Sequence, residues 1–266
     1  MKKILLFIPM YNCEKQIVRV LGQLTPKICQ YLSEVIVVNN RSTDNGEYAV
    51  QEYLSSHRLS IKISLLRNDE NYGLGGSHKV AFSYAIKNGF DYIIVLHGDD
   101  QGQISDFIPL LKNGDYQKYD CCLGARFAKE SKLIGYSKFR TFGNKIFNII
   151  FSLSVGIKIC DLGAGINLYS TKILCSEYYK RFPDNLTFNC YMLFALATYK
   201  QSYKFIPITW REEDQISNVK MTKQAWQTLQ MAVKYFVGRE KFMLTDARQK
   251  RFEEYTSQTV YKQEIH

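Results

Sequence analysis

Apolar residues along the first hundred positions come in short continuous runs rather than in strict alternation. Ile4–Pro9, Glu34–Val38, Lys62–Leu66 and Asp91–Leu96 carry such runs, rich in β-branched side chains. Continuous runs of this length predict strands buried on both faces, as in a parallel sheet covered by helices. The intervening segments change period. Ile17, Val20, Leu21 and Leu24 recur at helical spacing, and 45–56 and 77–88 read as further helices. Gly73 to Gly76 reads as a loop. The second half predicts strands at 121–124, 166–169 and 203–208, with Pro207 on a sheet edge. It predicts helices at 139–155, 188–198 and 225–237, and a glycine-rich turn at 161–165. Residues 239–266 are heavily charged, lack a long apolar stripe and read as a tail or exposed helix. No internal repeat is visible.

In a doubly covered parallel sheet, ligands bind beyond the carboxyl ends of the strands. Those ends carry Pro9-Met10-Tyr11-Asn12, Asn39-Asn40-Arg41-Ser42-Thr43-Asp44 and His97-Gly98-Asp99-Asp100-Gln101. The expected site lies there.

The 266 residues suffice for one large domain, and 46% apolar with 23% charged residues exclude wholesale disorder. Lys plus Arg number 35 against 25 Asp plus Glu, a net charge of +10 that favours anionic partners. Half of that excess lies between Lys118 and Lys145. Nucleic acid is not the expected partner, because no basic helix or aromatic–basic interleaving supports it. The seven cysteines are odd in number and form no C-x-x-C, which suits buried, reduced thiols in a cytoplasmic protein. Ile146–Ile157 and Leu186–Tyr199 are the longest charge-free stretches, and both are too short to span a bilayer. The first follows the basic cluster directly. It reads either as a core helix or as a helix lying peripherally on an anionic membrane.

Several positions carry candidate chemistry, each beside a plainer role. His97, Asp99 and Gln101 alternate after a strand. They present an imidazole, a carboxylate and an amide that suit Mn²⁺ or Mg²⁺ better than structural Zn²⁺. The plainer role is a polar turn in which Asp99 or Asp100 caps the next helix. Gly73-Leu74-Gly75-Gly76-Ser77 either offers bare amides to an anion or lets a helix pack closely. Asn39 and Asn40 either read a nucleobase edge or terminate a strand. Arg126, Arg140 and Arg211 suit phosphates. Asp161 either positions or deprotonates an acceptor, or bonds its own turn.

Taken in order, these segments resemble family 2 glycosyltransferases of the GT-A fold, and within them the polyprenyl-phosphate, dolichol-phosphate mannosyltransferase-like branch. The residues that carry the resemblance run from 4 to 220. They are Ile8-Pro9-Met10-Tyr11-Asn12, Val37-Val38-Asn39-Asn40-Arg41-Ser42-Thr43-Asp44 and Asn71-Tyr72-Gly73-Leu74-Gly75. Then come Leu96-His97-Gly98-Asp99-Asp100-Gln101, Gly124-Ala125-Arg126-Phe127, Arg140-x-x-Gly143-Asn144, Asp161-Leu162-Gly163-Ala164-Gly165, and Arg211 with Ser217-x-x-Lys220.

The resemblance implies one α/β GT-A domain over 1–238. Its sheet is mostly parallel with helices on both faces; the C-terminal membrane helices of some members have no counterpart among this chain's apolar stretches. A nucleotide-sugar half would span 1–101 and an acceptor half 102–238. The donor implied is a nucleotide-diphospho-sugar, with a UDP-sugar favoured. It would be held by Pro9, Tyr11, Asn12, Asn39, Asn40, Ser42, Asn71, Gly73, Gly98 and Asp99. The metal motif falls on His97, Asp99 and Gln101. Arg126, Arg140, Arg211 and Lys220 fall where donor and acceptor phosphates bind, and Asp161 joins Asp99 as a catalytic carboxylate. Two departures stand out: the family's first metal Asp is His97, for which either Asp100 would compensate or the metal dependence would be looser, and its acidic residue ending the second strand is Asn39. The acceptor implied is polyprenyl phosphate or a lipid-linked glycan, at the cytoplasmic face of a membrane. Transfer to a sugar hydroxyl, or a non-catalytic nucleotide- or membrane-binding domain, are the alternatives.

Overall fold

The computed structural model describes residues 2–214 and 221–264. Among the described residues ten strands form: β1 Ile4–Met10, β2 Glu34–Asn39, β3 Ile63–Asn68, β4 Tyr92–Leu96, β5 Cys121–Ala125, β6 Lys132–Ile134, β7 Ile166–Ser170, β8 Tyr203–Pro207, β9 Thr209–Arg211 and β10 Ser257–Gln263. Eight make one sheet in the order β10-β3-β2-β1-β4-β7-β5-β8, and β6 pairs with β9. Within the large sheet, β3, β2, β1 and β4 run parallel, as do β5 and β8. Strand β7 runs antiparallel between β4 and β5, and β10 antiparallel along β3. The sheet is therefore mostly parallel, and helices cover both faces.

Every residue of β1, β2, β4, β5 and β7 is buried, which is why their apolar runs are continuous. Successive side chains serve opposite cores. Leu6, Ile8, Ile94 and Leu96 face the helices Glu14–Gly22 and Gly46–Ser56. Leu5, Phe7, Ile93 and Val95 face the helices Gly73–Lys87 and Phe188–Thr198. Pro9 lies inside a central strand, a position normally closed to proline. Pairing of β1 with β4 has ended at Phe7–Val95, so its missing N–H falls where the ladder has run out.

Two segments differ from the sequence expectation. The glycine stretch is the first turn of the helix Gly73–Lys87 and not a loop. A Cβ at Gly75 would lie 2.3 Å from the Pro183 carbonyl oxygen, and one at Gly73 would lie 2.4 Å from that of Asp184. The Gly75 N–H donates to the Asp184 carbonyl at 2.7 Å. Close packing alone requires glycine at both positions. The second segment is 239–266. Its described residues include a short helix, Arg239–Leu244, and then strand β10 on the sheet edge.

Lys79 fastens this C-terminal segment. Its side chain is fully buried, and its ammonium donates to the Phe182 carbonyl (2.6 Å), Asp184 (2.6 Å) and the Tyr255 hydroxyl (3.1 Å). Burial pulls its pKa down to about 8, against the opposing pull of Asp184. Removing one partner of such a pair strands the other. Lys79→Met is expected to cost about 3 kcal/mol in a urea melt, and an unchanged midpoint would show that the ammonium supports nothing.

A candidate active site at the carboxyl edge of the sheet

Strands β1, β2, β4, β5 and β8 all exit at one edge of the sheet. Because β7 runs the other way, the turn that leads into it, 161–165, lies at that same edge. Topology thus brings together 9–12, 39–44, 97–101, Arg126, the 161–165 turn and β9, residues far apart in sequence.

The β1 and β2 ends are stitched to one another. Asn12, with φ of 49°, accepts from the Thr43 N–H at 2.8 Å, and its own N–H donates to the Ser42 hydroxyl at 3.1 Å. Asp44 accepts from the Glu14 and Gly46 N–H groups. Asn39 is buried; its amide donates to Glu47 at 2.7 Å and accepts from the Ser42 N–H at 2.8 Å. Arg67 pairs with the same Glu47 and, with Asn39, holds its carboxyl below the usual range. Asn40 donates to Asn71 and accepts from Asn68 and the Tyr72 N–H. Asn71 in turn accepts from the Gly73 N–H. Both asparagines are committed to shaping the edge, so the strand-terminating role is the one their contacts show. Tyr11 is half-exposed there and presents an aromatic face. Gly98 is required by packing: a Cβ would lie 2.8 Å from the Pro9 carbonyl oxygen.

The segment after β4 does not remain extended. The strand ends at Leu96, and Asp100 has φ of 58°. The His97 ring lies under Gly165, whose added Cβ would sit 3.0 Å from the imidazole Cγ. Its Nε2 is buried without a hydrogen-bond partner among the described residues, and its centroid is 6.3 Å from the His78 ring. Burial, helped by the Arg126 charge, pulls its pKa down to about 4. Asp99 retains some exposure and accepts from the Gln101 N–H at 3.2 Å. Burial, reinforced by the Asp100 charge, pushes its carboxyl up to about 6. Asp100, the residue expected to compensate for His97, is engaged on its other side. Arg19 bonds it at 2.7 Å and Gln23 at 3.0 Å. As a cation site the donor set fits in part: Asp99 and Gln101 are partly open, whereas the His97 Nε2 is sealed.

Across the edge, Asp161 is buried and its carboxylate is saturated. It accepts from Arg126 Nε (2.8 Å), Arg126 Nη2 (2.7 Å), the Arg126 N–H (2.8 Å) and the Gly163 N–H (3.0 Å). The Arg126 guanidinium carbon is 5.0 Å from the Trp210 ring and 5.1 Å from that of Phe127. Arg140 bonds Glu212 at 2.5 Å and lies over Tyr136. Arg211 is half-exposed, and its N–H donates to the Gln101 carbonyl at 3.0 Å. Ser217 and Lys220 lie outside the described residues. Arg19, Glu47, Trp210 and Glu212, which no sequence motif marks, hold the edge residues in place. An acid in the first turn after a strand end was the available signal for Glu47.

A sequence model of the family described as "Glycosyl transferase family 2" matches residues 6–176, more than half of the chain. The chain belongs to that family. An undecaprenyl-phosphate mannosyltransferase of Micrococcus luteus is 23% identical to this glycosyltransferase over 173 residues, covering 65% of this chain and 68% of the relative. An undecaprenyl-phosphate 4-deoxy-4-formamido-L-arabinose transferase of Pectobacterium carotovorum is 28% identical over 176 residues, 65% of this chain but half of its own length. Both names belong to the branch that the motifs resemble. A glucosyl-3-phosphoglycerate synthase of Mycobacterium tuberculosis, crystallised with Mn²⁺, uridine diphosphate and glucosyl-3-phosphoglycerate, superposes with a TM-score of 0.61 at 13% identity, covering 99% of this chain and 90% of its own. That likeness bears out the GT-A fold of this family member.

Proposed function

We propose that this glycosyltransferase moves a sugar from a nucleotide-diphospho-sugar, favoured as a UDP-sugar, to polyprenyl phosphate with inversion at the anomeric carbon. The observation that carries the acceptor reading is the saturated Asp161 carboxylate: its four hydrogen bonds leave it poorly placed to take a proton from a sugar hydroxyl. A phosphate acceptor is already anionic and needs no such base. The names of the relatives agree with that choice, and the crystallised uridine diphosphate complex agrees with the donor.

In this reading Tyr11 and the β1–β2 edge receive the base and ribose, and Pro9 and Gly98 let the chain approach closely. Asp99 and Gln101 are the residues that would hold Mn²⁺ or Mg²⁺. Such an ion supplies Lewis-acid stabilisation of the departing diphosphate. Arg211 adds positive potential against which two anionic reactants meet, while Arg126 and Arg140 are each already paired with a carboxylate. The acceptor phosphate oxygen forms the new bond to the anomeric carbon as the bond to the diphosphate oxygen breaks.

The test is release of nucleoside diphosphate from a panel of nucleotide-sugars with Mn²⁺ and detergent-dispersed polyprenyl phosphate. Release is expected with the lipid phosphate and is expected to collapse on chelation. Release that needs a sugar hydroxyl instead, or no release from any donor, overturns the proposal.

A further inference from the structure

The helix Lys138–Val155 buries Asn148, Phe151, Ser154 and Val155 against the fold. Its opposite face does not serve the core. Phe139, Phe142, Ile146, Ile149 and Leu153 recur every three or four residues and are all exposed, from 40% at Ile146 to 82% at Phe139. Such spacing makes a single stripe. The helix Met221–Val237 packs alongside, with the Ser154 hydroxyl donating to the Ala232 carbonyl at 2.5 Å. It adds exposed Trp226, Val233, Phe236 and Val237. Large apolar side chains gathered in this number mark an interaction surface rather than ordinary scatter.

The charge on the two helices selects the occupant. Their sequences carry Lys138, Arg140, Lys145, Lys223 and Lys234, and neither contains Asp or Glu. A second copy would oppose like charge with like charge across a self-complementary interface. A bilayer bearing anionic headgroups accepts both the apolar stripe and its basic flanks. Neither helix is long and apolar enough to cross a membrane. The stripe also starts beside the site. Arg140 in its first turn is paired with Glu212, next to β9, and Asn148 bonds the Cys160 carbonyl just before the 161–165 turn.

We infer that this two-helix face seats the protein in the interfacial layer of an anionic bilayer. The inference deepens the acceptor reading and rests on it for its purpose, since the sheet edge would then open toward a lipid-borne phosphate.

The full chain is mixed with vesicles of phosphatidylglycerol and phosphatidylethanolamine, or of phosphatidylcholine alone, with no donor or acceptor present. Co-sedimentation with the anionic vesicles is expected, together with a blue shift of the exposed Trp226. The triple variant Phe142→Ser, Ile149→Ser, Leu153→Ser is expected to lose binding at least about tenfold, with its melting temperature held, because these side chains touch solvent. Lys145→Glu with Lys234→Glu is expected to weaken binding and flatten its salt dependence. Absence of binding to anionic vesicles overturns the inference. So does self-association that the serine substitutions abolish while vesicles are ignored. A chain that binds vesicles yet transfers nothing to polyprenyl phosphate sinks only the acceptor reading. A chain active on detergent-dispersed acceptor that ignores vesicles sinks only the docking face.

Discussion

Asp99→Asn is expected to lower kcat about 10²–10³-fold and at the same time to make the ligand-free protein more stable. The carboxylate sits at the end of β4, partly buried and beside Asp100, and its pKa is pushed up to about 6 from an ordinary 3.8. An asparagine side chain keeps the oxygen that accepts from the Gln101 N–H and loses the charge that burial penalises. Well below pH 3.8 both the folded and the unfolded chain hold the proton, and the charge costs nothing. As pH rises from 4 toward 6 the unfolded chain releases the proton while the folded chain keeps it, so the wild type loses stability through that window. Above 6 the full penalty stands, on the order of 1–3 kcal/mol once partial solvation is allowed for. Urea melts in chelator at pH 4 and pH 7.5 check this, with the advantage of the Asp99→Asn variant over the wild type expected to be much larger at the higher pH. A less stable variant at pH 7.5 would refute the burial argument. Unchanged turnover would remove Asp99 from the chemistry.

The same residue shows how far the sequence is readable. Buried strands announce themselves because both faces must be apolar, so β1, β2 and β4 are recognisable, as is the helix Phe188–Thr198. Strand β10 is not, because it closes an exposed sheet edge with mostly polar side chains and only Val260 and Tyr261 to bury. Three glycines argue against a helix at 73–76 by propensity, yet the Pro183 and Asp184 carbonyls leave no room for a Cβ at Gly75 and Gly73, and the Tyr72 side chain leaves none at Gly76. Convergence of His97, Asp99 and Gln101 assumed extended chain beyond β4. The strand stops at Leu96, and the left-handed Asp100 turns the chain, so Asp99 keeps some exposure while the His97 Nε2 is sealed. The ends of β1, β2 and β4 were identifiable as one edge from parallel topology alone. The insertion of antiparallel β7 was not, and it is β7 that sets Asp161 against Arg126.

That pair carries the second large effect. Arg126→Met is expected to destabilise the protein by about 3–5 kcal/mol, because it leaves the Asp161 carboxylate buried with its guanidinium gone. Asp161→Leu is expected to cost a comparable amount, by stranding the guanidinium and two N–H donors. The double variant should lose clearly less than the sum, with a coupling of about 2–3 kcal/mol, since neither partner then remains to be desolvated alone. A purely additive cycle would mean that the two groups do not depend on each other. Kinetics separate this anchoring role from base catalysis. If Asp161 took the acceptor proton, Asp161→Asn would erase an acidic limb from kcat/KM against pH. With Asp161 acting as the clamp on Arg126, the profile keeps its shape and only its height falls, and the remaining activity follows the fraction of folded protein. A lost limb in a variant that is still fully folded would return the reaction to a hydroxyl acceptor.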